Sequence, residues 1–261
     1  MLPPRCSVAA YMRLITRAMD VTTICILISF ALAASFVQRV CGFGFGIFIM
    51  SVLPHIMPSY GEATTLSGLL ASATSLIIVV KLWRHIEWRK LLPILATFLI
   101  VSYFGVQLIS TTSDILLKRA LGAVLIAVGL YFLFIRSRIA LHPTLPTQIS
   151  MGTLSGLMGG TCGMQGPPAV LYFLAATSQK EAYIAISQAY FLIGNLMMTL
   201  YRARHGYLTA EVGIAWCYGL IAVIAGTYIG GIVFRRISID ALRKLIYIYL
   251  IISGIVALFL P

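Results

Sequence analysis

The sequence predicts an all-α membrane protein whose chain crosses the bilayer about eight to ten times. Of its 261 residues, 60% are hydrophobic and 10% are charged, whereas soluble domains contain about 45–50% apolar residues. The charges fall in short clusters between long uncharged runs, most of which could span a hydrocarbon core of about 30 Å. Two glycine-rich clusters interrupt this apolar sequence. In lipid, such breaks survive only where they are buried in protein or line a watery cavity.

About ten apolar segments give the predicted elements in chain order. The long segments have about 20 residues, the length that a membrane helix needs. Glu62 and Glu181 each stand at the start of a long segment, where an acid complements the helix dipole. The short second, sixth and seventh segments adjoin the glycine clusters. The segments are Val21–Val40, Phe43–Met57, Ala63–Leu82, Leu91–Ile109, Leu116–Ile135, Ile149–Gly160, Pro167–Ala176, Ala182–Arg202, Val212–Phe234 and Leu242–Leu260.

The chain also resembles itself at a shift of about 120 residues. The dipeptide Cys41-Gly42 matches Cys162-Gly163, and the tripeptide Gly61-Glu-Ala63 matches Lys180-Glu-Ala182. This similarity predicts two repeats of about five hydrophobic segments each. An odd number of crossings in each repeat would give the two repeats opposite orientations in the membrane.

We divide the chain into an N-terminal tail at 1–20, a first membrane repeat at 21–138 and a second membrane repeat at 139–261. The distribution of Lys and Arg favours crossing by every segment, with inverted repeats, over about eight crossings with parallel repeats. In the favoured arrangement the loop at 84–90 is cytoplasmic and the loop at 202–205 is external.

The two glycine clusters are Cys41-Gly-Phe-Gly-Phe-Gly46 and Gly159-Gly-Thr-Cys-Gly-Met-Gln-Gly-Pro-Pro168. Glycine adopts backbone angles that other residues resist, and it lets the backbone approach a ligand closely. Pro167 and Pro168 suit the first turn of a helix, so each cluster indicates a helix that begins within the membrane. The free N–H groups and positive partial charge of such an end favour an anion. Tight helix packing through small residues is the alternative.

All seven acidic residues stand at segment ends, and none lies in the middle of an apolar run. Cation and proton pumps usually bury a carboxylate on the path of the ion, so this pattern favours an anionic substrate. The five cysteines show no metal-ligand spacing, and we expect neither a metal site nor a cofactor. The net charge of +12 arises beside the membrane segments, which argues against nucleic acid as a partner. A small anion and the lipid bilayer are the expected partners, and homo-oligomer formation stays open.

Polar side chains near the clusters are candidate ligands of the anion. Arg39 could hold a carboxylate or sulfonate through two hydrogen bonds, or it could extend toward water as an interfacial residue. The glutamines could donate to the anion or join helices to one another, and Cys41 and Cys162 could be small apolar residues. The candidate substrate-binding residues are Gln38, Arg39, Cys41, Gly42, Gly44, Gly46, Gly160, Thr161, Cys162, Gly163, Gln165, Gly166, Pro167, Pro168 and Gln188.

In these features the chain resembles the sulfite exporter TauE/SafE family of membrane permeases. The resemblance rests on the two glycine clusters, on Pro167-Pro168, on the Glu-Ala pairs that end at Ala63 and Ala182, and on the layout in two halves. It implies a permease for sulfite, an organosulfonate or a related small organic acid, exporting by alternating access across the bacterial inner membrane. An anion-selective channel is the alternative. An enzyme is not expected, because the sequence has neither a His-Glu-x-x-His motif nor a pair of acids within the membrane.

Overall fold

The computed structural model describes residues 20–135, 142–233, 248 and 251–259, and these residues form helices and short turns without strands. The all-α prediction is thereby confirmed. A 3-10 turn, Trp83–His85, and a π-helical turn, Tyr131–Ile135, extend two of the helices. The helices are α1 (Val21–Cys41), α2 (Phe45–Ile49), α3 (Leu53–Ile56), α4 (Tyr60–Leu82), α5 (Trp88–Thr111), α6 (Asp114–Leu130), α7 (Leu145–Cys162), α8 (Gly166–Ala176), α9 (Lys180–Arg204), α10 (Ala210–Val233) and α11 at 251–259.

Five of the described helices are long and apolar enough to cross a membrane, which makes the chain a multi-pass membrane protein. Large apolar side chains on their outer faces are exposed, as they are where a helix meets lipid rather than water. The central helices α4 and α9 are more deeply buried than the other three. The five spans are Val21–Cys41, Tyr60–His85, Trp88–Thr111, Glu181–Arg204 and Ala210–Ile232.

The predicted second segment, Phe43–Met57, is not one helix but two short ones, α2 and α3. Pro54 has no N–H group and cannot continue the hydrogen-bond ladder of α2. It lies instead in the first turn of α3. The predicted tail up to residue 19, the border between the repeats at 138 and the first part of the predicted segment Leu242–Leu260, apart from residue 248, lie outside the described residues.

Side-chain caps hold the starts of α1 and α4. The Asp20 carboxylate accepts a hydrogen bond from the backbone nitrogen of Thr23, 2.9 Å away, and hydrogen bonds from Thr23 lower the pKa of Asp20. The Ser59 hydroxyl accepts from the backbone nitrogen of Glu62 at 3.2 Å. Each cap satisfies one of the N–H groups that a helix start leaves free.

Both glycine clusters interrupt the backbone. Gly42 ends α1 with a φ of 83°, and Gly163 ends α7 with a φ of 68°. Glycine adopts this left-handed conformation without the steric penalty that a Cβ brings. Each helix therefore stops inside apolar sequence, and a short helix begins a few residues later.

Helix α4 packs against α9 in an antiparallel manner. Near the start of α4, the Thr64 carbonyl accepts a hydrogen bond from Arg202 at the end of α9. Near the other end, the Ser75 hydroxyl donates to Gln188, which lies in the first third of α9. These two helices form the centre of the bundle.

Two further pairs of long helices pack in parallel, one on each side of α4 and α9. In the first pair, Ser35 of α1 faces Gly226 of α10, and Arg39 faces Gly230 one turn further along both helices. The pair α7 and α5 behaves in the same way: a Cβ at Gly156 would meet Val101, and one at Gly160 would meet Gly105. Helices α1 and α7 end in the two breaks, so each breaking helix lies beside a helix from the other half of the chain.

Candidate functional site

The two helix breaks meet in the interior of the protein. A Cβ added at Gly46 would overlap the carbonyl oxygen of Gly163, so the close approach of the two backbones requires glycine. A Cβ added at Gly166 would lie 3.7 Å from the Phe43 ring. The two clusters, about 120 residues apart in the chain, therefore form one continuous site.

A small cavity lies where the breaks meet. It has a volume of about 20 Å³, enough for roughly one water molecule. Its polar side chains are three amides, and no charged residue lines it within the described part of the chain. The lining residues are Gln38, Gly44, Phe45, Gly46, Ile47, Ala71, Gly163, Met164, Gln165, Gly166, Phe191 and Asn195.

A hydrogen-bonded group of side chains closes the cavity beside the first break. The amide nitrogen of Gln38 donates to the amide oxygen of Gln188 at 2.9 Å and to the Ser75 hydroxyl at 3.1 Å. The Ser75 hydroxyl donates to the same oxygen of Gln188 at 3.0 Å. Gln188 in turn donates to the Gly42 carbonyl at 2.8 Å. This group joins α1, α4 and α9 and satisfies a carbonyl that the break leaves without a helical partner.

A second group of polar side chains supports the other break. The Ser155 hydroxyl donates to the backbone carbonyl of Gln165, and the Tyr190 hydroxyl donates to Ser155 at 2.7 Å. The Gln165 amide nitrogen donates to the Phe191 carbonyl at 3.3 Å, while its amide oxygen is buried without a hydrogen-bond partner. Gln165 therefore reaches the cavity with its backbone held and part of its amide unsatisfied.

The helix starts at the breaks offer fewer N–H donors than the sequence indicates. Helix α8 begins Gly166-Pro167-Pro168, and the two prolines have no N–H group. Helix α2 has five residues, so few peptide dipoles add up along it. Side-chain amides are consequently the polar side chains that reach the cavity among the described residues.

The structure brings six of the predicted residues to the cavity and places a seventh beside it. Gln38, Gly44, Gly46, Gly163, Gln165 and Gly166 line the cavity, and Gln188 bonds to Gln38. Gly42 contributes its carbonyl to the same group of side chains. Gln165 precedes α8, and its amide nitrogen reaches the Phe191 carbonyl of α9.

Other predicted residues lie away from the cavity. The Arg39 side chain packs against Gly230 and Gly231 of α10 and lines a separate groove with Lys81. Gly160 contacts Gly105 of α5, and the Thr161 hydroxyl donates to the Leu157 carbonyl at 2.7 Å.

The cysteines and prolines among the predicted residues are buried beside the breaks without lining the cavity. Cys41 and Cys162 are the last residues of α1 and α7. Pro167 and Pro168 pack on the other side of α8, against a groove formed with α6 and α7. These residues support the backbone of the breaks.

Arg202 is the residue that the sequence reasoning missed. The sequence places it at the boundary between the apolar segment Ala182–Arg202 and an external loop, but it lies within α9, with its side chain fully buried. Its guanidinium donates to the carbonyls of Thr64, Gly159 and Gly160. The available signal was its spacing, because Arg202 stands seven residues after Asn195 and such residues share a helix face. Phe191 and Asn195 also line the cavity without having been predicted as ligands.

A multi-pass all-α protein whose chain breaks at two places, with the breaks meeting at a polar cavity, has the architecture of a membrane transporter. The chain belongs to the sulfite exporter TauE/SafE family, whose sequence profile matches residues 27–257. The resemblance found in the sequence is thus confirmed. No solved structure gives a significant match to the chain.

A related protein of Cupriavidus necator is described as "Probable sulfite/organosulfonate exporter TauE". This chain is 24% identical to it over 202 residues, which cover 76% of this chain and 79% of that protein. The family and this relative both indicate a membrane transporter.

Proposed function

We propose that the protein exports sulfite, an organosulfonate or a related small organic acid across the bacterial inner membrane by alternating access. The observation that carries the proposal is the cavity at the meeting of the breaks, where Gln38, Gln165 and Asn195 supply amide groups and no carboxylate lines the cavity among the described residues. Amide N–H groups can donate to oxyanions, and a cavity without a lining carboxylate favours an anion over a cation. The description of the Cupriavidus necator relative supports the same substrate class.

The packing of the long helices supports inverted repeats. Helices α9 and α10 are joined by a short loop and must cross in opposite directions, as must α4 and α5. Since α4 and α9 are antiparallel, α10 runs in the same direction as α4, and α5 runs in the same direction as α9. Helix α1 is parallel to α10 and therefore also runs in the direction of α4. Helix α7 is parallel to α5 and therefore runs in the direction of α9. The chain then returns across the membrane between Cys41 and Tyr60, and again between Cys162 and Lys180. This is the arrangement in which all the predicted segments cross.

The small size of the cavity supports alternating access over an open pore. Sulfite has one sulfur and three oxygen atoms, which need more room than the single water that fits here. Binding therefore requires the two breaks to move apart. Because α1 packs closely against α10 and α7 against α5, each pair can move as a unit, and movement of one pair against the other would open the cavity at one side at a time. An anion-selective channel would share the amide ligands but needs a continuous path.

Flux through proteoliposomes tests this proposal. Sulfite and methanesulfonate uptake should saturate, and unlabelled anion on the opposite side should accelerate it, as expected for a carrier. Gln165→Ala and Asn195→Ala should reduce uptake, whereas Gln107→Ala, on α5 and away from the cavity, should leave it unchanged. Uptake that rises linearly with concentration and ignores the opposite side would favour the channel. Full uptake activity of both cavity variants would show that the substrate binds elsewhere in the protein.

A further inference from the structure

Arg202 is a fully buried guanidinium near the end of α9. It bonds to the Thr64 carbonyl at 3.0 Å, the Gly159 carbonyl at 2.9 Å and the Gly160 carbonyl at 3.2 Å. The two glycine carbonyls belong to the last turn of α7, just before the second break. Arg202 thus joins the end of α7 to α4 and α9.

No carboxylate pairs with Arg202 within the described ranges, and its Nε atom is buried without a hydrogen-bond partner. Its neighbours are neutral groups, including the side chains of Tyr60 and Cys162. An unpaired charge within the membrane is costly and usually functional. The carbonyls at the end of α7 carry only the partial negative charge of a helix terminus, so an oxyanion would be a stronger partner for the guanidinium.

A row of polar side chains on α9 connects Arg202 to the cavity. Asn195 lines the cavity, and Thr199 and Arg202 follow it at spacings of four and three residues, which places all three on one helix face. The Thr199 hydroxyl is also buried without a partner. Opposite this row stands Gly68 of α4, where an added Cβ would lie 3.1 Å from the Thr199 hydroxyl and 3.6 Å from the Arg202 guanidinium. Buried hydrogen-bonding groups therefore continue from the cavity to Arg202.

We propose that Arg202 is a second anion-binding group, which takes a sulfonate-type or sulfite oxyanion in place of the carbonyls of Thr64, Gly159 and Gly160. The fork of the guanidinium matches two oxygens of such an anion. Exchange of these partners releases the end of α7 from α4, so that arrival of the anion at this end of the polar row opens the cavity there. This inference rests on the proposed function and adds to it the residue that recognises the charge.

The test compares full-length protein carrying R202Q, R202K or R204Q, using sulfite and methanesulfonate as probes. Arg204 lies on the same last turn of α9 but is exposed, which makes R204Q the matched control. The readouts are the anion-dependent rise in melting temperature and the concentration that half-saturates uptake. A merely structural role would lower the melting temperature without changing its dependence on the anion.

We expect R202Q to raise the anion concentration that half-saturates uptake about ten-fold or more, the loss expected for a hydrogen bond to a charged group. R202Q should also reduce the anion-dependent rise in melting temperature, while R204Q behaves as wild type. If R202Q folds and keeps wild-type anion dependence, the inference is wrong and the proposed function stands. If R202Q does not fold, the test uses R202K, which keeps the positive charge but lacks the planar guanidinium. Wild-type anion affinity of R202K would overturn the inference, and weaker anion affinity would support it. Wild-type protein that responds to neither probe would overturn the proposed function and this inference together.

Discussion

The amide nitrogen of Gln188 lies 2.8 Å from the Gly42 carbonyl oxygen and donates a hydrogen bond to it. Gln188 belongs to α9 and Gly42 ends α1, so this bond joins the two halves of the chain at the first break. In a membrane no solvent is available to satisfy a carbonyl that has lost its helical partner. The bond explains how α1 can stop inside apolar sequence.

Gln188→Leu should destabilise the protein by about 1–3 kcal/mol, because it leaves the Gly42 carbonyl without a partner and removes the oxygen that accepts from Gln38 and Ser75. Thermal unfolding in detergent measures the change. Gln107→Leu is the matched control, and it should cost little because the Gln107 side chain belongs to no described hydrogen bond. Equal melting temperatures for the two variants would contradict the structural role of Gln188.

Gly46→Ala and Gly166→Ala should differ in their effects on folding. The Cβ of an alanine at Gly46 would overlap the backbone carbonyl of Gly163, whereas at Gly166 it would make contacts of ordinary length. Overpacking of this kind costs about 1–3 kcal/mol, so Gly46→Ala should lower the melting temperature and Gly166→Ala should preserve it. Similar stability of the two variants would mean that the breaks do not touch as described.

Ser155→Ala should destabilise the protein more than Tyr190→Phe. Removing the Ser155 hydroxyl leaves two buried groups unpaired, the Gln165 carbonyl and the Tyr190 hydroxyl, whereas Tyr190→Phe removes a single donor and leaves the bond from Ser155 to Gln165 in place. We expect a loss of about 1–3 kcal/mol for the serine variant and about 1 kcal/mol for the tyrosine variant. Chemical unfolding of the purified variants measures both, and the reverse order would contradict the described network.

Single cysteines placed at Arg84 and Arg204 should label from opposite sides of the membrane. Arg84 follows α4 and Arg204 ends α9, so both lie at the ends of their helices. Since α4 and α9 are antiparallel, their C-terminal ends lie on opposite sides, with Arg84 on the cytoplasmic side by the distribution of basic residues. An impermeant thiol reagent applied to intact cells should label Arg204→Cys and spare Arg84→Cys. Labelling of both would rule out the inverted arrangement, whereas labelling of Arg84→Cys alone would reverse its predicted orientation in the membrane.

The order of helices and the places where the backbone breaks follow from local sequence. Apolar runs and charged ends define membrane helices because the bilayer imposes a length and excludes charge. Gly42 and Gly163 mark the ends of α1 and α7 because few other residues adopt a positive φ there. The TauE/SafE resemblance could be found from these same features. Gln38 and Gln165 were recognisable as candidates because they are polar residues beside a break.

Only the tertiary structure decided which of the polar side chains face one another. Arg39 stands next to the first cluster in the sequence but packs against α10, whereas Arg202 looks like a loop residue and is buried against the end of α7. The direction of a side chain depends on the rotation of its helix and on the partner that covers it. These are set by contacts between segments far apart in the chain, such as Gly68 against Thr199, and local periodicity does not contain them.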